Sequence, residues 1–214
     1  MSHDEGTNQS KIRHIAGEVL SQILNVPILS GALLTFLFFK LPNDLPNGLA
    51  GFGWALLFLS LIPLGSLFFY IPGKVREKAK VIRRQRIASF VFMVVSYPLG
   101  FLVLWLTDAP DIYEAIAVTY TLVTLGLILL NFVLRYKASG HAAGVAGPVG
   151  ALIYLFGLVA TPLLALIPLT TWARVSAKGH DVWQTVVGAL LSLGIAGLVL
   201  WAYGFLPASG LAGY

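Results

Sequence analysis

What most restricts the folds open to this chain is a series of seven long apolar segments separated by short polar ones. They run from Ile15 to Phe39, Leu49 to Ile71, Ile87 to Leu106, Tyr113 to Leu134, Ala142 to Leu158, Pro162 to Val175 and Val182 to Phe205. A helix crossing a bilayer core takes about 20 apolar residues, fewer where a segment is short or re-entrant. Only 11% of the 214 residues are charged and 57% are hydrophobic, against roughly 25% charged in a soluble domain. A water-soluble fold of that composition would expose far too much apolar surface, so the chain reads as an integral membrane protein. Strands in lipid must close into a barrel, and no segment alternates polar with apolar residues. The expected fold class is all-α: a polytopic membrane helical bundle of six to seven transmembrane segments. Residues 1–14 read as a polar N-terminal tail and 15–214 as one membrane-embedded domain. No cleaved signal is expected, since the first apolar run is too long for a signal-peptide core. With no cysteine, disulfides, thiol nucleophiles and thiolate metal sites are excluded.

Pro27, Pro63 and Pro98 fall inside apolar segments, where neighbouring helices can satisfy the freed carbonyls, and they are expected to kink them. The fifth and sixth segments are short and joined by Gly157 to Pro162, which predicts a tight helical hairpin turning near Ala160. Gly144, Gly147 and Gly150 bring small residues to helical spacing, as close helix packing requires. Charge sets the orientation. With seven crossings, every Lys and Arg except Lys40 falls on the side of the N-terminus, while Asp44, Asp108, Asp111 and Glu114 lie on the other. The positive-inside rule puts the basic side in the cytoplasm. These cations sit beside membrane segments, and membrane lipids are the expected surroundings, with no nucleic-acid partner.

Three polar clusters survive this sorting: Lys74 to Arg86, Lys137 to His141, and Arg174 to His180. Two crossings separate each from the next, so all three belong on one membrane face. That parity collects several cations, two imidazoles and a Ser139-Gly140 turn at one water–lipid boundary, and the ligand it suits is a phosphate. Guanidinium forks and backbone N–H groups stabilise the equatorial oxygens of a phosphoryl group in transfer. Arg83, Arg86 and Arg174 are the candidate forks, with Lys80 and Lys137 as further cations. The N–H groups at Ser139 and Gly140 precede a helix N-terminus, which favours an anion. One imidazole can attack phosphorus while the other protonates the departing oxygen. Two histidines with no convergent carboxylate make a poor metal cage, so no metal and no cofactor is expected.

These residues resemble a known family. The type 2 phosphatidic acid phosphatases, which share a site with vanadium haloperoxidases, carry the motifs Lys-x6-Arg-Pro, Pro-Ser-Gly-His and Ser-Arg-x5-His-x3-Asp. Ala138-Ser139-Gly140-His141 resembles the second motif, and Ala173-Arg174 followed by His180 resembles the third. Val182 to Ala189, with Gly188-Ala189, is similar to the family's closing helix. The resemblance spans Lys74 to Ala189 and leaves the first two helices without a counterpart. It implies that His180 is a nucleophile forming a phosphohistidine and that His141 is the general acid. Arg174, Arg83, Arg86 and the Ser139-Gly140 turn would hold the phosphoryl oxygens without a metal.

The sequence also departs from the pattern. Gln184 stands where the third motif has its acid. Its carbonyl oxygen can fix the tautomer of an imidazole but cannot stabilise an imidazolium as a carboxylate would, which implies slower chemistry or a different substrate. Asp181 is a poor substitute, because adjacent residues on a helix point apart. Ala138 and Ala173 replace Pro and Ser, and no Arg-Pro occurs between Lys74 and Phe90.

The leading expectation is an integral membrane phosphatase with its site on the cytoplasmic face, hydrolysing a lipid phosphate or an isoprenoid phosphate or diphosphate. A phosphotransferase would use the same residues. The alternative is a catalytically weak or inactive relative that binds or transports a lipid phosphate, which Gln184 and the degraded first motif favour. A transporter more often carries polar groups in mid-helix, and Asn25 and Asn131 are among the few candidates. No aspartate-rich helix supports a CDP-alcohol transferase. The oligomeric state leaves no mark on the sequence.

Overall fold

The computed structural model describes residues 2–66, 78–209 and 211, with side chains throughout except at 2–8, 10 and 78–86. Among the described residues every regular element is helical. The order is α1 (Ser2–Ile23), α2 (Val26–Phe38), α3 (Gly48–Leu56), α4 (Ile62–Leu64), α5 (Lys78–Leu106), α6 (Asp111–Ile128), α7 (Gly140–Phe156), α8 (Leu166–Ser176) and α9 (Val182–Ala202). Four helical runs are long and apolar enough to cross a membrane, and five if the bent α1–α2 pair is one span.

The first apolar segment is not one helix. Asn25 is extended, with φ −74° and ψ 144°, and its side chain accepts from the Val26 N–H. Pro27 follows within the first turn of α2, where a missing N–H costs nothing, so it restarts the helix rather than kinking it. The two axes differ by 44°. Helix α1 reaches back to Ser2, so the polar N-terminal stretch is helical too. Pro63 behaves similarly, because it cannot donate to a preceding carbonyl. The chain opens into a π-turn over Leu57–Leu61 before α4, and Ser96 Oγ donates to the Phe58 carbonyl there. Pro98 does lie inside α5.

Helices α7 and α8 are joined by a 3-10 stretch, Gly157–Ala165, and Gly157 has a φ of 62°, which glycine adopts without strain. If the 37 residues from Gly140 to Ser176 ran straight they would reach about 55 Å at 1.5 Å per residue. Instead Lys137 Nζ donates to the Gly179 carbonyl over 2.8 Å, so the run folds back and α8 returns antiparallel to α7.

Other contacts sort the loops into two ends. At one end His14 Nδ1 lies 3.3 Å from the Ser176 carbonyl, and Lys137 meets Gly179. At the other, Asn47 Nδ2 donates to the Asp108 carbonyl over 3.2 Å, and Tyr154 OH donates to the Phe205 carbonyl over 3.0 Å. Exposed tryptophans mark both levels: Trp172 and Trp183 at the first, Trp105 and Trp201 at the second. On α9, Trp183 and Trp201 stand about 27 Å apart by helical rise, close to the roughly 30 Å of a hydrocarbon core. Between them the outward faces carry Val91, Val95, Leu102, Leu122, Leu125 and Leu198, a surface made for lipid.

The bundle is packed unevenly. Its main core, with Leu34, Leu37, Leu59, Leu104, Ile112, Tyr113, Ile116, Leu155 and Leu200, fills the half nearest Asp108. The half nearest Lys137 and His180 holds a cavity.

Candidate active site

The cavity measures about 890 Å³, within the usual range for ligand sites, and its mouth is lined by Lys137, Gly140, His141, Arg174, Gly179 and His180. Deeper, it is walled by Val26, Phe90, Met93, Val123 and Leu127, and it ends where the main core begins, at Leu33, Tyr97, Ile116, Tyr120 and Ala151. The site is thus polar at the rim and mainly apolar below, with Thr119, Thr124 and Ser192 also in its lining.

Each rim residue is fixed by local structure. Ser139 is the N-cap of α7, its Oγ accepting from the Ala142 N–H, and it is fully buried. The Ser139 N–H donates to the Gln184 carbonyl over 2.9 Å, which clips the turn to the first turn of α9. That approach is close enough to require glycine. A Cβ added at Gly188 would lie 2.4 Å from the Ser139 carbonyl oxygen. Gly140 and His141 follow as the first residues of α7, where a helix leaves backbone donors without intrahelical partners.

His180 sits just before α9, which Asp181 and Gln184 open with a capping box. The Gln184 N–H donates to Asp181 Oδ1 over 2.8 Å, and Gln184 Oε1 accepts from the Asp181 N–H over 3.4 Å. The same Oε1 lies 3.0 Å from His180 Nδ1, and the Lys137 carbonyl lies 3.3 Å from it. These two oxygens are acceptors, which favours the tautomer with the proton on Nδ1 and the lone pair on Nε2. Asp181 is committed to capping and does not take the place of the missing acid.

Arg174, in the last turn of α8, donates from a terminal guanidinium nitrogen to Ser21 Oγ on α1 over 2.7 Å. Helix α1 comes that close because Gly17 faces the Ala173 carbonyl, 2.8 Å from where a Cβ would stand. Glu18, Ser21, Gln22 and Asn25 complete the α1 side of the mouth. Sequence reasoning left α1 without a role, and a contact 153 residues apart in sequence left no local signal to find it by.

Asn131, noted in the sequence only as a polar group in mid-helix, also supports the rim. It lies in a π-turn, Leu129–Val133, at the end of α6, and its amide donates to the Leu127 carbonyl over 2.8 Å and to the Ala138 carbonyl over 3.3 Å. Its one signal in the sequence is a polar side chain in an apolar run.

Of the residues singled out from sequence, His141, His180, Arg174, Lys137 and Gly140 line one cavity, while Ser139 and Gln184 stand behind it as supports. Lys80, Arg83 and Arg86 occupy the opening turns of α5, but their side chains lie outside the described residues. The same helix reaches the cavity at Ser89, Phe90 and Met93. Among the described residues, no cluster of three or more His, Cys, Asp or Glu side chains is placed to hold a metal ion.

Over 70 residues the chain is 38% identical to a lipid A 4'-phosphatase of Helicobacter pylori strain J99. It is a distant, partial relative of a lipid phosphatase. The shared stretch covers 32% of this chain and 35% of the relative, about a third of that protein's length. No family model and no solved structure matches the chain.

Proposed function

We propose that the protein is a metal-independent membrane phosphatase acting on a lipid phosphate or diphosphate through a phosphohistidine at His180, in a bundle of six to seven membrane segments. The observation that carries this reading is the cavity itself. A phosphate fits its cationic, imidazole-bearing rim, and a hydrocarbon chain fits the apolar walls below. The partial likeness to a lipid A 4'-phosphatase supports a lipid phosphate as substrate.

In this reading Arg174 and Lys137, with Arg83, Arg86 and Lys80 from α5, draw the phosphate to the mouth, and the Ser139-Gly140 turn receives its oxygens. Nε2 of His180 attacks phosphorus in line with the lipid oxygen. As the P–O bond breaks, His141 gives its proton to the departing lipid alkoxide. The neutral His141 then takes a proton from water as that water attacks the phosphohistidine. The P–N bond breaks, inorganic phosphate leaves, and both imidazoles return to their starting states. The basic rim, with Lys11 and Arg13 on α1, supports a site on the cytoplasmic face of the cell membrane by the positive-inside rule.

Gln184 favours a second reading, a lipid-phosphate binding or transport protein with little catalysis, because an amide does not stabilise the imidazolium. Phosphate release from short-chain lipid phosphates separates the two. The phosphatase reading expects vanadate-sensitive release by purified protein, at least 100-fold weaker in His180→Ala and in His141→Ala. Equal release by wild type and His180→Ala would sink it.

A further inference from the structure

The mouth of the cavity carries three side chains that phosphate chemistry does not call for. Glu18, Gln22 and Asn25 line it from α1, and none of them is a cation. A carboxylate repels the anion that Arg174 and Lys137 draw in, so a rim built for phosphate alone has no use for Glu18. Its contact with His14, 3.4 Å between partly exposed side chains, is of the surface kind that adds little stability and does not account for a place in the cavity lining.

One anchor sets the level of all three. Ser21 accepts from the Arg174 guanidinium over 2.7 Å, which brings that turn of α1 beside the cation proposed to hold the phosphate. Glu18 is three residues nearer the N-terminus and Asn25 four residues further on, about 4.5 Å and 6 Å along the axis by helical rise. Gln22 adjoins Ser21. Spacings of three and four keep Glu18, Ser21, Gln22 and Asn25 on one side of the helix, and side chains lean toward the N-terminus, so Asn25 leans back toward the rim. These groups therefore meet the atoms next to the phosphate rather than the lipid's chains.

Their donors and acceptors decide what they can bind there. An ionised Glu18 only accepts, whereas the Gln22 and Asn25 amides donate as well. The Asn25 oxygen already accepts from the Val26 N–H over 2.9 Å, so its amide nitrogen is the group it offers a ligand. A hydroxyl both donates and accepts and suits all three side chains, while an ammonium would leave the amide donors idle. We propose that Glu18, Gln22 and Asn25 form a subsite for hydroxyl groups beside the phosphate. The protein then selects lipid phosphates with a hydroxylated head over those whose phosphate sits on a bare chain, as in isoprenyl phosphates. This rests on the lipid-phosphate reading of the rim.

The probes are 1-alkyl glycerol 3-phosphate and the 1-alkyl propane-1,3-diol phosphate of equal chain length. They differ only in one hydroxyl, on the carbon next to the one that bears the phosphate. Phosphate release by the purified full chain is measured with both, for wild type, Glu18→Ala/Gln22→Ala and His14→Ala. Glu18 and Gln22 are exposed and alanine suits such helix positions, so the double variant folds. The expected result is a wild-type kcat/KM about 10-fold higher for the hydroxylated lipid. The double variant brings that ratio close to one, and His14→Ala, which removes only the neighbour of Glu18, keeps it. A wild-type ratio near one overturns the subsite, and so does a double variant that loses both lipids equally. A ratio that also collapses in His14→Ala assigns the effect to the seating of α1 and rejects the subsite. If wild type releases phosphate from neither lipid, the catalytic reading falls by itself, and competition of the same two lipids for binding reads the subsite. A tighter hydroxylated lipid whose advantage disappears in the double variant upholds it, and equal affinities reject it.

Discussion

Gln184 Oε1 accepts at once from the Asp181 N–H and lies 3.0 Å from His180 Nδ1, so the group that opens helix α9 is also the one that orients the proposed nucleophile. A glutamate at 184 keeps both contacts and adds charge. Hydrogen bonds to charged partners contribute about 1.5–3 kcal/mol against about 1 for neutral ones. Gln184→Glu is expected to raise the single-turnover rate of phosphohistidine formation about tenfold and to shift the basic-form limb of the pH–rate profile upward. Gln184→Leu is expected to lower the rate by a similar factor. A residue acting only as a cap predicts no gain from glutamate, so an unchanged rate in Gln184→Glu counts against the orienting role.

Ser21 helps to direct Arg174. Its hydroxyl accepts one guanidinium donor at 2.7 Å, and a planar guanidinium so held has the fork geometry that suits a phosphate. Ser21→Ala is expected to raise KM for a lipid phosphate about five- to tenfold with kcat nearly constant, since it loosens a binding group and touches neither imidazole. Arg174→Lys, which offers a single ammonium, is expected to lose more than Ser21→Ala in kcat/KM. The reverse order in steady-state assays would remove Arg174 from the phosphate site.

How much of this could be read before the structure differs from element to element. The alternation of apolar and polar segments carried the helical class, and counting passages brought Lys137 to His141 beside Arg174 to His180. The hairpin turn fell near Ala160 because glycine and proline leave a strong local mark. The break at Asn25 was hidden, since a capping Asn and a Pro in an apolar run look the same whether the helix bends or restarts. Ser21 and Gly17 were illegible as site residues, and Gly188 stood out only as part of a family-like helix, because their meaning lies in approaches between distant segments. The contributions of Lys80, Arg83 and Arg86 are still carried by sequence alone.

Gly188 marks the tightest of those approaches. An alanine there would drive its Cβ to 2.4 Å from the Ser139 carbonyl oxygen, and the helices cannot part without breaking the 2.9 Å bond from Ser139 to Gln184. Overpacking of this kind costs about 1–3 kcal/mol. Gly188→Ala is expected to lower the thermal midpoint by several degrees and to disable phosphate release as the turn moves. Gly194→Ala is the control: it lies on the same helix with nothing within 4 Å of the added Cβ, and it should fold and work as wild type or slightly better. Equal behaviour of the two variants would mean the close approach is not rigid.

Asn131 ties the end of α6 to the same turn, and its two bonds can be separated. The amide reaches the Leu127 carbonyl, which the π-turn exposes, and the Ala138 carbonyl one residue ahead of Ser139. A serine at 131 can still bond back to the carbonyl four residues earlier, but its hydroxyl is too short to span to Ala138. Asn131→Ser therefore keeps the helix end satisfied and releases the turn, whereas Asn131→Ala loses both bonds. If the Ala138 bond holds the Ser139-Gly140 donors in place, Asn131→Ser and Asn131→Ala lose kcat alike, by about tenfold for roughly 1.4 kcal/mol. In that case only Asn131→Ala is destabilised against heat. If Asn131→Ser works as wild type, the bond to Leu127 is the one that matters, and Asn131 belongs to the scaffold rather than to the site.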